Sequence, residues 1–436
     1  MTMRKTLFLA LLFVLGAGGR ARAQNTAPVP LTLQDAEALA LKNHPQVLAA
    51  QATVREFSEL VVEARSAYFP TLDADLTGSG SNPQGRIGAG YLPASRLFDR
   101  LGTGIQLSQL ITDSGRTPNL VASSRLQAQA SRRTYEATRY DVLLAVNQAY
   151  FAALRAQALV KVAEQTVAAR QIMSDQVTEL AKNKLRSEVD VAFADVNLSE
   201  AKLLLLRSQD QVRAALAELT RALGTDQMVN YKLTDEPLPP SPPSDADSLI
   251  AQAFINRPDL LSQQLQRDAA VKLERAERDL SFPTVSLVGV GGAIPEMKQI
   301  LSTNVPNNYE GAALNVEVPI FNGHLFTARR EAARFRAQAE DQRVRDLQEK
   351  IARDVRVAWS SSKTAFQNID VTAELLREAS LALDLAQGRY NLGLSSIVEL
   401  YQAELNITQA EIENLNAKYD YQSIYAMLQY TMGLLR

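Results

Sequence analysis

The apolar residues of this chain follow a helical pattern over an unusual length. From 119 to 223 the sequence contains neither glycine nor proline, although the whole chain holds 20 glycines and 17 prolines. Polar residues interrupt the run around 182–188, where a turn is expected. The pattern predicts a helix from about 119 to 181 that returns as a second helix from 187 to 223. The apolar stripe of the first helix consists of Leu143, Val146, Tyr150, Ala153, Val160 and Val167.

The same hairpin pattern occurs a second time, 209 residues further along the chain. Gly224, which follows the last apolar residue of the first hairpin and is typical of a helix end, corresponds to Gly433. The segments before the hairpins repeat at a shift of 213, because residues 43–45 (Asn-His-Pro) correspond to residues 256–258 (Asn-Arg-Pro). Pro45 is expected to kink or break its helix. The sequence therefore predicts two homologous halves of one architecture rather than a solenoid of short repeats.

These repeats divide the chain into four segments. A signal peptide is predicted at 1–23 from two basic residues, a short apolar core and an Ala-Arg-Ala cleavage site. The first repeat covers 24–224 and the second 248–436, and each contains a helix, two strands and a long helical hairpin. Between them, 225–247 holds five prolines and is expected to be an extended linker.

Each repeat also contains two segments in which apolar and polar residues alternate, the pattern of a half-buried strand. The predicted strands lie at about 68–78, 103–112, 282–291 and 311–321. This pattern fits strands tilted through a bilayer, but a small soluble antiparallel sheet on a helical bundle would show it too. Four strands leave open edges in lipid, so a membrane sheet requires several chains. The alternation by itself does not choose between a dimer and a trimer.

Composition limits the classes of partner and of binding site that this protein can have. The full chain has a net charge of −2, and removal of the signal leaves 42 basic and 48 acidic residues, a net charge of about −6. An acidic balance argues against nucleic acid as a partner. Because there is no cysteine, no disulfide, no thiolate metal site and no lipid-bearing N-terminal cysteine are expected. The apolar core of the signal is too short to span a bilayer, and no transmembrane helix is expected.

The residues do not form a pattern typical of catalysis. The two histidines, His44 and His324, have no plausible metal ligand or nucleophile near them in the sequence, and a structural role is expected for both. Trp359 and Phe366, at helical spacing, are expected to be core residues. We therefore expect neither an enzyme nor a protein with a bound cofactor or metal.

Over essentially all of the mature sequence, the chain resembles the TolC-like outer-membrane efflux proteins. The order and shared offset of the repeated motifs carry the resemblance, since no single motif is specific. The motifs are the Asn-x-Pro openings at 43–45 and 256–258, the Phe-Pro pairs at 69–70 and 282–283, the exits at 113–115 and 321–323, and the turn from Tyr390 to Glu399. The resemblance implies a mainly α fold with two structural repeats, in which long antiparallel helical hairpins form an α-barrel. It also implies four β-strands per chain in a trimeric 12-stranded membrane β-barrel.

The resemblance further implies a channel-tunnel in the bacterial outer membrane with a large periplasmic part. Such a homotrimer, embedded in outer-membrane lipid, exports substrates in tripartite efflux or type I secretion. Its partners would be a periplasmic adaptor (membrane fusion) protein and an inner-membrane pump. Two other function classes are a periplasmic adaptor and a soluble coiled-coil scaffold. An adaptor has one hairpin inserted in a lipoyl-like domain, whereas this chain has two hairpins and no room for that domain.

A gate is also implied near the hairpin turns, where acidic residues and a tyrosine narrow the tunnel in the family. The matching residues here are Asp190, Glu399, Gln402 and Tyr390. Ser395 stands where well-studied members carry a link-forming arginine, so the closed-state link is expected to be weaker or absent. The adaptor-docking tips implied by the resemblance are Asn183, Lys184, Leu185, Leu392, Gly393 and Leu394. Without the resemblance, all these residues would be read as solvated helix faces and ordinary exposed turns.

Overall fold

The computed structural model describes residues 29–80, 86–87, 95–96, 100–226, 231–297 and 308–435. The predicted signal peptide at 1–23 lies outside these residues, as do parts of the segments between the two predicted strands of each repeat. The helices are α1 (Leu33–Asn43), α2 (Pro45–Ser66), α3 (Arg116–Lys182), α4 (Glu188–Ala222), α5 (Ala246–Asn256), α6 (Pro258–Asp279), α7 (Leu325–Asn391) and α8 (Ile397–Thr431). The strands are β1 (Val29–Leu31), β2 (Thr71–Ser79), β3 (Arg86–Ile87), β4 (Ser95–Arg96), β5 (Arg100–Thr112), β6 (Tyr231–Leu233), β7 (Thr284–Met297) and β8 (Asn308–Glu317).

The helices of the second repeat begin and end at positions equivalent to those of the first. Both long arms, α3 and α7, have 67 residues, and both return helices, α4 and α8, have 35. The ends of α3 and α4 are shifted by 209 residues from those of α7 and α8. The ends of α1 and α2 are shifted by 213 residues from those of α5 and α6. At about 1.5 Å per residue, each long arm extends about 100 Å from the sheet to its turn. A helix of this length is stabilised mainly by packing along its sides.

Pro45 separates two helices instead of kinking one. His44 has an extended backbone, and its imidazole Nδ1 accepts a hydrogen bond of 3.3 Å from the backbone N–H of Gln46, so it caps α2. Arg257 takes the equivalent place before α6. The break is physically required, because a proline disfavours the helical conformation of the residue before it.

The predicted apolar stripe on α3 is wrong in its second half. Val160 and Val167 are only half-buried. The buried line instead keeps a strict spacing of seven and consists of Ala149, Ala156, Ala163, Arg170 and Val177. A seven-residue repeat is typical of helices that supercoil around one another, and here α3 packs against both α4 and α8.

The sheet next to the helices is four-stranded and antiparallel in the order β2-β5-β7-β8, so β2 and β8 are its edges. In its register Leu72 pairs with Leu107 and Val316 with Val285. The structure begins β2 at Thr71 rather than at 68 and ends β8 at Glu317 rather than at 321. Prolines at 70 and 319 lie just outside these ends, and a proline cannot donate a hydrogen bond to a sheet.

Large apolar side chains of this sheet remain exposed in the single chain. Leu72, Leu76 and Leu314 are 66%, 77% and 65% exposed. Within the part of the chain that the structure describes, no helix has both the length and the apolar character needed to cross a membrane.

The proline-rich linker is bound along the helices rather than free. Its strand β6 pairs in parallel with β1. The one hydroxyl hydrogen of Tyr150 is shared between the carbonyl oxygens of Leu31 (2.9 Å) and Thr234 (2.8 Å), which joins β1 and the residue after β6 to α3. In the second half, the indole of Trp359 donates to the carbonyl oxygen of Pro243 at 2.7 Å. The linker therefore contacts helices of both repeats, and its strand β6 packs against the buried core around Tyr150.

Candidate functional site at the hairpin turns

Both hairpin turns lie at the ends of the long arms, far from the sheet. Lys184 and Gly393 are equivalent under the repeat and both have a left-handed backbone, with φ of 58° and 73°. Lys184 thus adopts a conformation that glycine tolerates more easily. The tip leucines are solvent-exposed: Leu185 by 69%, Leu392 by 76% and Leu394 by 67%. Asn183 is tied to its own helix, since its side-chain amide donates to the carbonyl oxygen of Glu179 at 2.9 Å.

Asp190 and Glu399 occupy equivalent positions but have different partners. Asp190 forms a capping box with Ser187 at the start of α4, in which each side chain accepts a hydrogen bond of 3.2 Å from the other's backbone N–H. Glu399 pairs with Arg389 at 3.1 Å across the second hairpin. Both carboxylates are therefore held by partners from their own hairpins.

Tyr390 lies inside the turn region, and only 3% of it is exposed. It packs in a small apolar cluster with Val177, Ala194 and Leu400, which come from three other helices. Its hydroxyl group has no hydrogen-bond partner among the described residues. Burial raises the pKa of the Tyr390 phenol; Arg186 partly offsets this rise, and the charge of Asp190 adds to it.

Arg186, in the first turn, holds Tyr390 from the other hairpin. Its guanidinium carbon lies 4.1 Å from the centre of the tyrosine ring, and its Nη2 donates a 2.8 Å hydrogen bond to the Tyr390 carbonyl oxygen. The first contact is a cation–π interaction. Sequence reasoning missed Arg186 as a site residue, although it lies in the polar patch that marks the turn.

The remaining predicted gate residues lie on the second hairpin without a link to the first. The side-chain amide of Gln402 donates to the side-chain oxygen of Asn406 at 3.0 Å on the same helix. Ser395 is half-buried, and its hydroxyl has no partner among the described residues. The structure thus brings Tyr390 together with Arg186, whereas Asp190, Glu399 and Gln402 have partners within their own hairpins and the Ser395 hydroxyl has no partner among the described residues.

A buried ion pair lies further from the turns, between α3 and α8. Arg170 and Glu404 form it, with side chains only 8% and 7% exposed, and Arg170 also donates to the Glu404 carbonyl oxygen at 2.8 Å. Burial raises the pKa of the Glu404 carboxyl, and Arg170 offsets part of that rise. The sequence held a signal for this pair, because Arg170 interrupts the buried seven-residue line between Ala163 and Val177.

Polar contacts thus connect the two hairpins at several heights. Arg155 pairs with Asp420 at 2.8 Å, and the hydroxyl of Tyr401 donates to Glu200 at 2.8 Å. Within the described residues there is no group of three or more histidine, cysteine or acidic side chains placed to hold a metal ion. These contacts can position the hairpins relative to each other.

Known proteins share both the sequence pattern and the fold. A family model described as Outer membrane efflux protein matches residues 38–225 and 249–434. The outer membrane efflux protein BepC of Brucella suis biovar 1 is 26% identical over 407 residues, which cover 92% of this chain and 85% of BepC. TolC of Salmonella enteritidis is 22% identical and covers 86% of this chain and 77% of its own length.

A solved structure of CusC superimposes with a TM-score of 0.80 at 18% identity. The match covers 94% of this chain and 95% of CusC. The two proteins therefore have the same fold.

Proposed function

The chain belongs to the outer membrane efflux protein family, and we propose that it works as a homotrimer whose hairpin turns form a gate. It is an outer-membrane channel protein of efflux or type I secretion. Proteins of this family work with a periplasmic adaptor and an inner-membrane pump.

The open sheet supports the trimer. A single chain leaves the edge strands β2 and β8 unpaired in the sheet, and open edges are not tolerated in lipid. Pairing β8 of one copy with β2 of the next satisfies both edges. The exposed leucines of the same strands would then face lipid. The proposed assembly is a 12-stranded barrel from three chains, with the helices extending into the periplasm and no lipid anchor, since the chain has no cysteine.

The gate is proposed at the turns because Arg186 of the first hairpin there holds Tyr390 of the second. Tyr390 lies with Arg186 between the hairpins, Asp190 lies in the first turn of α4, and Glu399 and Gln402 follow on α8. In a trimer, Asp190 and Glu399 would place six carboxylates around a narrow mouth, which favours cations in a constricted pore. Arg186 takes the linking role that Ser395 cannot perform.

The tips are proposed as the adaptor-docking surface. Leu185, Leu392 and Leu394 are exposed apolar side chains at the far end of the molecule. Lys184 and Gly393 share one backbone conformation, so the two turns present similar shapes. An adaptor that binds one turn could therefore bind the other in the same way.

Planar-bilayer recording tests the gate. We expect the wild type to be cation-selective, with low resting conductance and block by multivalent cations from the periplasmic side. The double variant Asp190→Asn, Glu399→Gln should lose selectivity and block while the trimer still assembles. Ser395→Arg should lower conductance further by adding another arginine near the turns. Unchanged reversal potentials and unchanged block in the double variant would show that the carboxylates are only a solvated face.

A further inference from the structure

A cavity of about 510 Å³ lies among the four helices nearest the sheet. Helices α2, α3, α6 and α7 all contribute to its lining. A separate surface depression lies between α3 and α6 and is lined by other residues of both helices, among them Gln129 and Asp268. The cavity lies on one face of the layer that these helices form, and in the proposed channel this face is assigned to the tunnel side. Its volume is within the range of sites for small organic molecules.

The walls of this cavity are largely apolar. Phe57 and Leu273 supply the largest apolar side chains, and Ala130 and Ala270 line it where α3 and α6 pack closely. Polar side chains also line the cavity, and two of them are charged: Thr53, Gln127, Ser131, Thr134, Tyr135, Gln266, Arg336 and Glu340. This combination favours a molecule with a flat apolar body and one polar group.

The charged side chains that line the cavity determine whether the polar group of a bound molecule would be an anion or a cation. Glu340 lies in the lining, but its carboxylate is already engaged: it accepts a hydrogen bond of 2.8 Å from Gln263 and pairs with Arg343. Arg336 has no carboxylate partner among the described residues. Glu340 and Arg343 offset each other, which leaves the guanidinium of Arg336 as the uncompensated charge.

We propose that this cavity is a binding site for amphipathic organic anions, with Arg336 binding the anionic group and Phe57 contacting the apolar body. The proposal adds a substrate class to the export function. It rests on that function in one respect, namely that the cavity faces the tunnel. Guanidinium groups bind carboxylate and sulfonate oxygens through charge-assisted hydrogen bonds. A site of this kind would retain such molecules on the tunnel wall as they pass.

Two probes with the same ring and opposite charge test the sign. The trimer in lipid nanodiscs would be titrated with naphthalene-1-sulfonate and, separately, with 1-naphthylmethylammonium, and each dissociation constant measured by equilibrium dialysis. We expect the sulfonate to bind more tightly. Arg336→Gln should weaken sulfonate binding about tenfold, as expected for the loss of one charge-assisted hydrogen bond, and should not weaken binding of the ammonium probe. Arg336→Lys should restore part of the preference, and Phe57→Ala should weaken both probes.

Arg330→Gln is the matched control, because Arg330 is an exposed arginine on a different side of the same helix. Its binding constants should equal those of the wild type. Equal binding of both probes, or full sulfonate binding by Arg336→Gln, would overturn the proposal. Conductance of the same purified proteins in planar bilayers separates the two claims. Conducting trimers that show no preference for the anionic probe refute only this site. A failure of the wild type to form channels refutes the proposed function.

Discussion

The guanidinium of Arg186 covers the ring of Tyr390, 204 residues away in the sequence, and donates to its carbonyl oxygen. Both contacts need the guanidinium, and the cation–π part alone contributes about 0.5–2 kcal/mol. Arg186→Gln should therefore let the hairpin turns separate more easily and raise the resting conductance in planar bilayers. Tyr390→Phe is the control: the hydroxyl has no partner, so conductance should stay at the wild-type level. An Arg186→Gln channel as closed as the wild type would show that this contact does not restrain the gate.

The pair Arg170–Glu404 should behave as a buried ion pair whose halves depend on each other. Glu404→Gln leaves the Arg170 charge buried without its partner, and such a loss costs about 3–5 kcal/mol. Replacing both residues by methionine should be close to neutral, because no charge then remains buried. Thermal unfolding of the helices, followed by circular dichroism on the detergent-solubilised trimer, measures both variants. A double variant as unstable as Glu404→Gln would contradict this account.

Acidification should weaken the start of α2 through His44. Burial, and secondarily the charge of Arg221, lowers the pKa of His44 below its usual 6.5. The folded chain therefore resists protonation more than the unfolded chain does. This contribution to stability is complete above pH 6.5 and is lost as the pH falls through the lowered pKa.

Protonation of His44 weakens the start of α2 because a protonated Nδ1 cannot accept the hydrogen bond from the backbone N–H of Gln46 that caps this helix. The cap contributes about 1 kcal/mol. His44→Asn keeps a capping acceptor that does not titrate, so its melting temperature should change less between pH 7.5 and pH 5 than that of the wild type. Identical pH profiles would exclude His44 as the source.

The face of β8 that carries Val316 should be sensitive to charge. Val316 is 56% exposed in the single chain and pairs with Val285, and its neighbour Glu317 lies on the opposite face. In the proposed assembly, Val316→Arg would place a charge in lipid at a cost of about 2–4 kcal/mol and reduce the yield of trimer in the outer membrane. Glu317→Gln should be tolerated. Equal yields for the two variants would mean that this strand does not contact lipid.

Two glycines with the same backbone conformation should differ in their tolerance of alanine. Gly224 and Gly393 have φ of 71° and 73°. A Cβ at Gly224 would lie 2.6 Å from the Cα of His44, whereas one at Gly393 would meet no atom within 4 Å. Gly393→Ala should cost only the left-handed conformation, about 1–2 kcal/mol, while Gly224→Ala should cost more. The melting temperatures of the two variants give the comparison, and an equal loss would contradict the close approach at Gly224.

The sequence by itself determined the helices, the repeat and the family. A glycine- and proline-free run with apolar residues at helical spacing allows little except a long helix, and the two shifts, 209 and 213, hold at the helix ends. The helix ends and turns were equally local: Gly224, Gly433 and the polar patch around Lys184, with its counterpart 209 residues later, were sufficient to place them. Such features depend on backbone preferences and on neighbours in the chain, which the sequence contains directly.

Only the tertiary structure decided which side chains meet across the hairpins. The linker strand β6 pairs with β1 across about 200 residues, and Arg186 reaches Tyr390 rather than standing in solvent. The stripe that was expected to continue through Val160 and Val167 shifts to Ala163 and Arg170 for the same reason. The periodicity of one helix gives the direction of its apolar face, whereas burial depends on where its neighbours lie.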